Sequence, residues 1–218
     1  MRLGVLGGTF DPVHQGHLDV ALAARAALQL DRVLFVPSRV PPHRHLPYAS
    51  ASHRFAMVAL ALQAHPAFAV SDIEVEAIED GPGYTDATLD QLQRRGIRMQ
   101  DVYFVTGADA FADIRSWRNF PAVLDRCHFV VVSRPGYRAD ALRGALPELA
   151  ERMVPAAAEV GDRSAIILVE TSTAAVSASE VRRKARAGES LEALVPTAVA
   201  EYIQKHDLYS SEEPKGMA

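Results

Sequence analysis

Leu3-Gly4-Val5-Leu6-Gly7-Gly8-Thr9-Phe10-Asp11-Pro12-Val13-His14-Gln15-Gly16-His17 runs from a short apolar segment, through a glycine-containing loop, into an Ala-rich stretch. Leu3–Leu6 reads as a buried strand and 16–30 as a helix. In sheets built from such strand-loop-helix units, ligands bind beyond the carboxyl ends of the strands. Gly7 and Gly8 allow a ligand to come close to the backbone. The amides of the loop and of the helix start can then face an anion, helped by the helix dipole. His14 and His17, three apart, point to one side of a helix start. Two imidazoles facing a polyphosphate suit a transfer governed by positioning and charge stabilisation rather than by a covalent nucleophile. Blander readings stay open. Many strand-to-helix turns carry two glycines, and the histidines could be structural or half of a metal site, although no HExxH pattern or nearby Cys supports zinc.

Outward from this segment the pattern repeats. Leu3–Leu6, 33–36, 68–75, 102–105, 129–132 and 166–169 read as strands, alternating with helices at 16–30, 52–65, 86–95, 139–151, 178–187 and 195–206. Short apolar runs without polar alternation indicate burial on both faces. The expected fold is therefore α/β: a doubly wound parallel sheet with C-terminal helices. Residues 37–50 and 79–84, rich in Pro and Gly, read as irregular, and 107–121 has a mixed pattern. One domain is expected over 1–209, followed by a polar, disordered tail at 210–218.

Composition narrows the function. The 218 residues are 49% hydrophobic and 23% charged, with a formal net charge of -4. That balance argues against a generic nucleic-acid binder. Cys127, the only cysteine, excludes an intrachain disulfide and reads as a buried small hydrophobe beside 129–132. With neither a secretory leader nor a membrane-spanning apolar run in the sequence, the cytoplasm is the expected location.

Gly7 to His17 match the (H/T)xGH signature of the nucleotidylyltransferase superfamily, and the longer GGTFDPVHxGH form resembles bacterial nicotinate-nucleotide adenylyltransferases. The resemblance implies a Rossmann-like nucleotidylyltransferase fold. It gives His14 and His17 the stabilisation of the transition state, with the Gly7-Gly8-Thr9-Phe10 backbone on phosphate and nucleotide. Val40-Pro41-Pro42-His43-Arg44 resembles the family's PPHK segment, which places Arg44 on phosphates. Ser38-Arg39 stands where the family often has an Asn-containing pair.

Gly83-Tyr84-Thr85-Asp86-Ala87-Thr88-Leu89 is similar to the family's SYTxDTL segment, which receives the nicotinate carboxylate. For Thr85, on the residues alone, an ordinary helix cap is the favoured reading. Gly107 and Asp109, in Thr106-Gly107-Ala108-Asp109, resemble a GxD motif near the nucleotide sugars. Trp117 matches a position that stacks on the nicotinate ring, where a core Trp is the default otherwise. Arg134 matches an arginine near the ATP site. Val176-Ser177-Ala178-Ser179-Glu180-Val181-Arg182 resembles ISxTxxR. A capping box accounts for Ser177 and Glu180 without ATP, but not for Arg182.

The resemblance implies direct in-line attack by nicotinate mononucleotide on ATP, with Mg²⁺ accompanying ATP and no protein metal ligand. Nicotinamide mononucleotide and phosphopantetheine are alternative acceptors. A non-catalytic nucleotide-binding module and a metal-dependent hydrolase are the readings from other classes. Small-molecule partners are expected, with no nucleic acid or membrane, for a monomer or homo-oligomer.

Overall fold

The computed structural model describes residues 1–39, 46–75, 83–158, 160–161 and 163–210. Along the chain come β1 (Leu3–Gly8), α1 (Gln15–Leu28), β2 (Arg32–Pro37), α2 (Ala51–Ala61), β3 (Phe68–Val70), α3 (Thr85–Arg94), β4 (Val102–Gly107) and α4 (Ala108–Ala112). They are followed by β5 (His128–Val132), α5 (Leu142–Ala145), β6 (Met153–Pro155), β7 (Ile166–Val169), α6 (Ala178–Arg186) and α7 (Thr197–Lys205). The strands form one seven-stranded sheet in the order β3-β2-β1-β4-β5-β7-β6. The β1–β4, β4–β5, β5–β7 and β6–β7 ladders are parallel. The strand order reverses between β1 and β4, as in a doubly wound fold. This is the architecture that the strand-helix alternation indicates.

Three elements depart from the expectation. The strand foreseen at 68–75 stops at Val70. The Ile73 amide donates to the Ser71 hydroxyl, a local bond that competes with a ladder. The helix foreseen at 139–151 breaks into α5 and a 3-10 turn at Pro147–Arg152, because Pro147 cannot donate to a continuing helix. β6 follows that turn, and its three residues are too few to show a periodicity.

Two compact units make up the chain. The first comprises residues 1–7, 19–34 and 84–175. Its core is the run of buried strands, with Val5, Val105, Val130, Val131 and Ile166 fully enclosed. Register pairs Leu6 with Val105, Gly107 with Val132, and Val132 with Val169, so the loops after these strands leave at one end of the ladder. Cys127 is buried here and its thiol is pushed up to about 12 by desolvation, which suits an unreactive packing residue.

The second unit comprises residues 8–18, 35–83 and 176–218. Phe35 packs between Phe10 and Phe68, at ring-centroid distances of 5.6 and 5.7 Å. α2 starts at the N-cap Ser50, whose hydroxyl accepts from the His53 amide, and packs against α7. The Gln15 amide at the start of α1 donates to the Leu194 carbonyl at 2.8 Å, giving one orphan donor of the helix a partner. Among the described residues, no helix is long and apolar enough to cross a membrane.

Candidate active site

In the second unit, the loop after β1 is held on every side. A Cβ on Gly8 would lie 3.0 Å from the Phe10 ring, so this close turn needs glycine. Phe10 has a left-handed backbone (φ 50°), which an L-residue adopts only where its surroundings enforce it. Burial of its ring against Phe35 and the His17 edge supplies that enforcement. The His14 and His17 rings stack with centroids 3.7 Å apart and planes 28° apart. The His14 amide donates to His17 Nδ1 at 3.2 Å. An accepting Nδ1 carries no proton, so the proton of a neutral His17 lies on Nε2, leaving that atom as a donor.

Asp11 organises the loop around it. Its carboxylate accepts from the Tyr48 amide (2.8 Å), the Ala49 amide (3.1 Å) and the Tyr209 hydroxyl (2.9 Å). Its main-chain carbonyl accepts from Arg182 Nη1 at 2.6 Å. Arg182 also donates to Ser179 Oγ at 3.1 Å and lies 4.6 Å over the Tyr48 ring. Ser177 is the N-cap of α6 and accepts from the Glu180 amide, so its capping role is present. Arg182, which no cap requires, is the residue that reaches the histidine loop. Ser38 joins the same group, its amide donating to the Gly8 carbonyl at 2.9 Å.

Arg54 is a buried cation of this unit. Nε donates to the Ala49 carbonyl (3.1 Å), Nη1 to those of Thr9 (2.7 Å) and Ser38 (2.6 Å), and Nη2 to that of Arg39 (3.0 Å). Desolvation pulls its pKa down, opposed by the negative charge of Asp11 and by Tyr209 and Glu74. Burial, reinforced by Asp11, holds the Tyr209 phenol well above its ordinary value. Sequence reasoning assigned no role to Asp11, Tyr48, Arg54 or Tyr209. One signal was present: Arg54 stands in the buried stripe of α2 with Met57, Val58 and Ala61, where an unpaired arginine would be out of place.

The first unit carries the remaining candidates. Gly107 ends β4, and a Cβ there would meet both the Asp109 carboxylate and Arg134 Cγ, so glycine leaves room for both side chains beside the backbone. Thr85 is the first residue of α3, but the N-cap is Tyr84, which makes no side-chain cap bond. The plain-cap reading of Thr85 is therefore corrected: Thr88 Oγ1 bonds the Tyr84 carbonyl instead, and the Thr85 hydroxyl does not cap. Asp86 accepts from Asn119 Nδ2 and pairs with Arg118 Nε at 3.3 Å, while the Arg118 guanidinium lies 5.0 Å over the Tyr84 ring. These contacts tie the Trp117 segment to the start of α3. Trp117 is half-buried, edge-on to Phe104 and Phe129. Gly7 lies at the exposed end of β1, 3.4 Å from the Phe104 ring at its missing Cβ.

Arg44 and its neighbours at 40–45 lie outside the described residues, as do 211–218 of the tail. At Gly83, where a Ser is usual in the resembled segment, the space beside Cα is taken by the flexible end of the Glu74 side chain. Among the described residues, no group of three or more His, Cys, Asp or Glu side chains could hold a metal ion.

The family described as cytidylyltransferase-like matches residues 5–184. The chain is 41% identical to a probable nicotinate-nucleotide adenylyltransferase of Roseiflexus sp., over 95% of this chain and 97% of that protein. Against the protein of the same name from Moorella thermoacetica it is 37% identical, over 95% and 91%. The structure also resembles Plasmodium falciparum nicotinic acid mononucleotide adenylyltransferase complexed with NaAD, with a TM-score of 0.72 and 16% identity, over 96% of this chain and 97% of that one. At that identity the likeness speaks for the fold.

Proposed function

Because the chain belongs to the cytidylyltransferase-like family, and within it to the nicotinate-nucleotide adenylyltransferases, we propose that it joins nicotinate mononucleotide to the adenylyl group of ATP. The chain is a nucleotidyltransferase of NAD biosynthesis. A 5′-phosphate oxygen of the mononucleotide attacks the α-phosphorus of ATP. The bond from that phosphorus to the bridging oxygen breaks, and pyrophosphate leaves with the electron pair. The products are deamido-NAD and pyrophosphate, and no protein nucleophile takes part.

The observation that carries this reading is the convergence on one loop of the stacked His14–His17 pair and Arg182, anchored through the Asp11 carbonyl. A base is not needed, because the attacking phosphate is already anionic. Donors and cations are needed where charge grows in the transition state. His14, His17 and Arg182 fill that role. The backbone of Gly7, Gly8, Thr9 and Phe10, together with Ser177, Ser179, Arg44 and Arg134, holds ATP phosphates. Gly107 and Asp109 take the ribose. Thr85, at the start of α3, receives the nicotinate carboxylate, and Trp117 stacks on the ring.

With ATP bound, Mg²⁺ would neutralise charge on the triphosphate, held by phosphate oxygens and water, and no protein ligand is assigned to it. Residues 1–209 act as one catalytic domain in the cytoplasm.

Pyrophosphate release, measured with ATP and each acceptor in turn, tests the proposal. Nicotinate mononucleotide should be the preferred substrate. A clear preference for nicotinamide mononucleotide or phosphopantetheine would overturn the choice of acceptor.

A further inference from the structure

We propose that Arg54 is a positioning residue of the reaction: from inside the protein it turns and polarises the backbone that receives the nucleotide phosphates. The proposal rests on the adenylyl-transfer reading above. Arg54 is 1% exposed, yet its donors go to four main-chain carbonyls, of Thr9, Ser38, Arg39 and Ala49. Burying a guanidinium is costly, and an apolar side chain would pack the α2 stripe without that cost. What an apolar residue cannot do is hold these carbonyls.

The consequence follows from peptide geometry. In a trans peptide, C=O and N–H point in opposite directions. The Thr9 carbonyl faces Arg54, so the Phe10 N–H is turned the other way. That amide has no acceptor among the described residues. It belongs to the residue in the left-handed conformation whose ring touches His17, at a centroid distance of 4.9 Å. A charge-assisted bond on a carbonyl polarises the whole peptide, strengthening the donor at its far end. The Ser38–Arg39 peptide is held in the same way. The Ser38 hydroxyl beside it is buried and has no partner among the described residues. Arg54 thus acts through the Phe10 amide on an anionic phosphate oxygen without touching it.

The test uses the full chain with ¹⁵N-labelled phenylalanine, the Phe10 amide being identified among the eight Phe signals by its loss in Phe10→Leu. Wild type, Arg54→Lys and Arg54→Met are compared for pyrophosphate release, thermal stability and the response of that amide to a non-hydrolysable ATP analogue. In wild type the Phe10 amide proton should move downfield on adding the analogue. In Arg54→Met the shift should vanish and kcat/KM should fall about 100-fold, as for loss of one transition-state donor. Arg54→Lys, whose single ammonium reaches fewer of the carbonyls, should be intermediate and keeps the test open if Arg54→Met does not fold. A residue that only supports the fold would lower stability and leave the amide response intact in the folded fraction, and that result overturns the proposal. So does wild-type turnover in Arg54→Lys, or a Phe10 amide that ignores the analogue in wild type. If wild type binds the analogue through Phe10 but releases no pyrophosphate with any acceptor, the activity reading fails and the role of Arg54 in phosphate binding stands.

Discussion

Replacing His17 by asparagine and, separately, by glutamine should distinguish the roles of its two ring nitrogens. The shorter amide of His17→Asn places an oxygen near the position of Nδ1, where it can still accept the His14 amide bond of 3.2 Å, but it lacks Nε2. The longer amide of His17→Gln does the opposite: it reaches toward Nε2 and leaves the His14 N–H without its acceptor. If Nε2 donates to charge in the transition state, His17→Asn should lose about 10²- to 10³-fold in kcat, the usual cost of one such donor. Its stability should change little. His17→Gln should keep more activity but lose about 1–2 kcal/mol of stability, the cost of an unsatisfied part-buried donor. For a chain of this size that lowers the melting temperature by roughly 2–8 °C. Continuous pyrophosphate release and differential scanning calorimetry give both quantities on the same preparations. Full turnover by His17→Asn, or equal destabilisation by both variants, would refute the assignment of the two ring nitrogens.

Arg182→Lys should lose at least about tenfold in kcat/KM with little change in melting, because an ammonium cannot bridge the Asp11 carbonyl and Ser179 as the planar fork does; steady-state kinetics beside a thermal melt check it. Tyr209→Phe removes a hydroxyl bonded to the Asp11 carboxylate at 2.9 Å and should cost about 1.5–3 kcal/mol, read by urea unfolding. Since the folded-state pKa of Tyr209 is raised above its ordinary 10.0, its contribution is complete below pH 10 and is lost as pH rises beyond it. Wild type should therefore lose stability more steeply than Tyr209→Phe between pH 10 and 11. Cys127, with its thiol pushed up to about 12, should resist a thiol reagent at pH 8 until the protein is unfolded, as absorbance of the released chromophore will report.

The α/β alternation was legible because each of the longer buried strands is a short apolar run set between longer helix-forming stretches. Elements too short for a period escaped, such as β6 and α4. So did those ended by one local event, Pro147 in the helix foreseen at 139–151 and the Ser71 bond after β3. At the site, His14 and His17 stood out by their spacing in the loop, whereas Arg182 was singled out by the resemblance to ISxTxxR, its neighbour Ser177 reading as a cap. Thr85 could not be placed from the sequence, since a cap and an N1 residue look alike until the backbone places the cap on Tyr84.

For this protein, Gly7 to His17 by themselves determined that the first strand opens through a close glycine turn into a helix start with two histidines on one side. Those properties depend on neighbours within a few residues, and backbone sterics carry them. Only the tertiary structure decided what holds that loop in place. Arg54 is 45 residues from Thr9, Arg182 is 171 from Asp11, and Tyr209 is 198 from Asp11. Each donates to an acceptor that the chain brings to it only on folding, because a buried carbonyl or carboxylate must find a partner wherever the core supplies one.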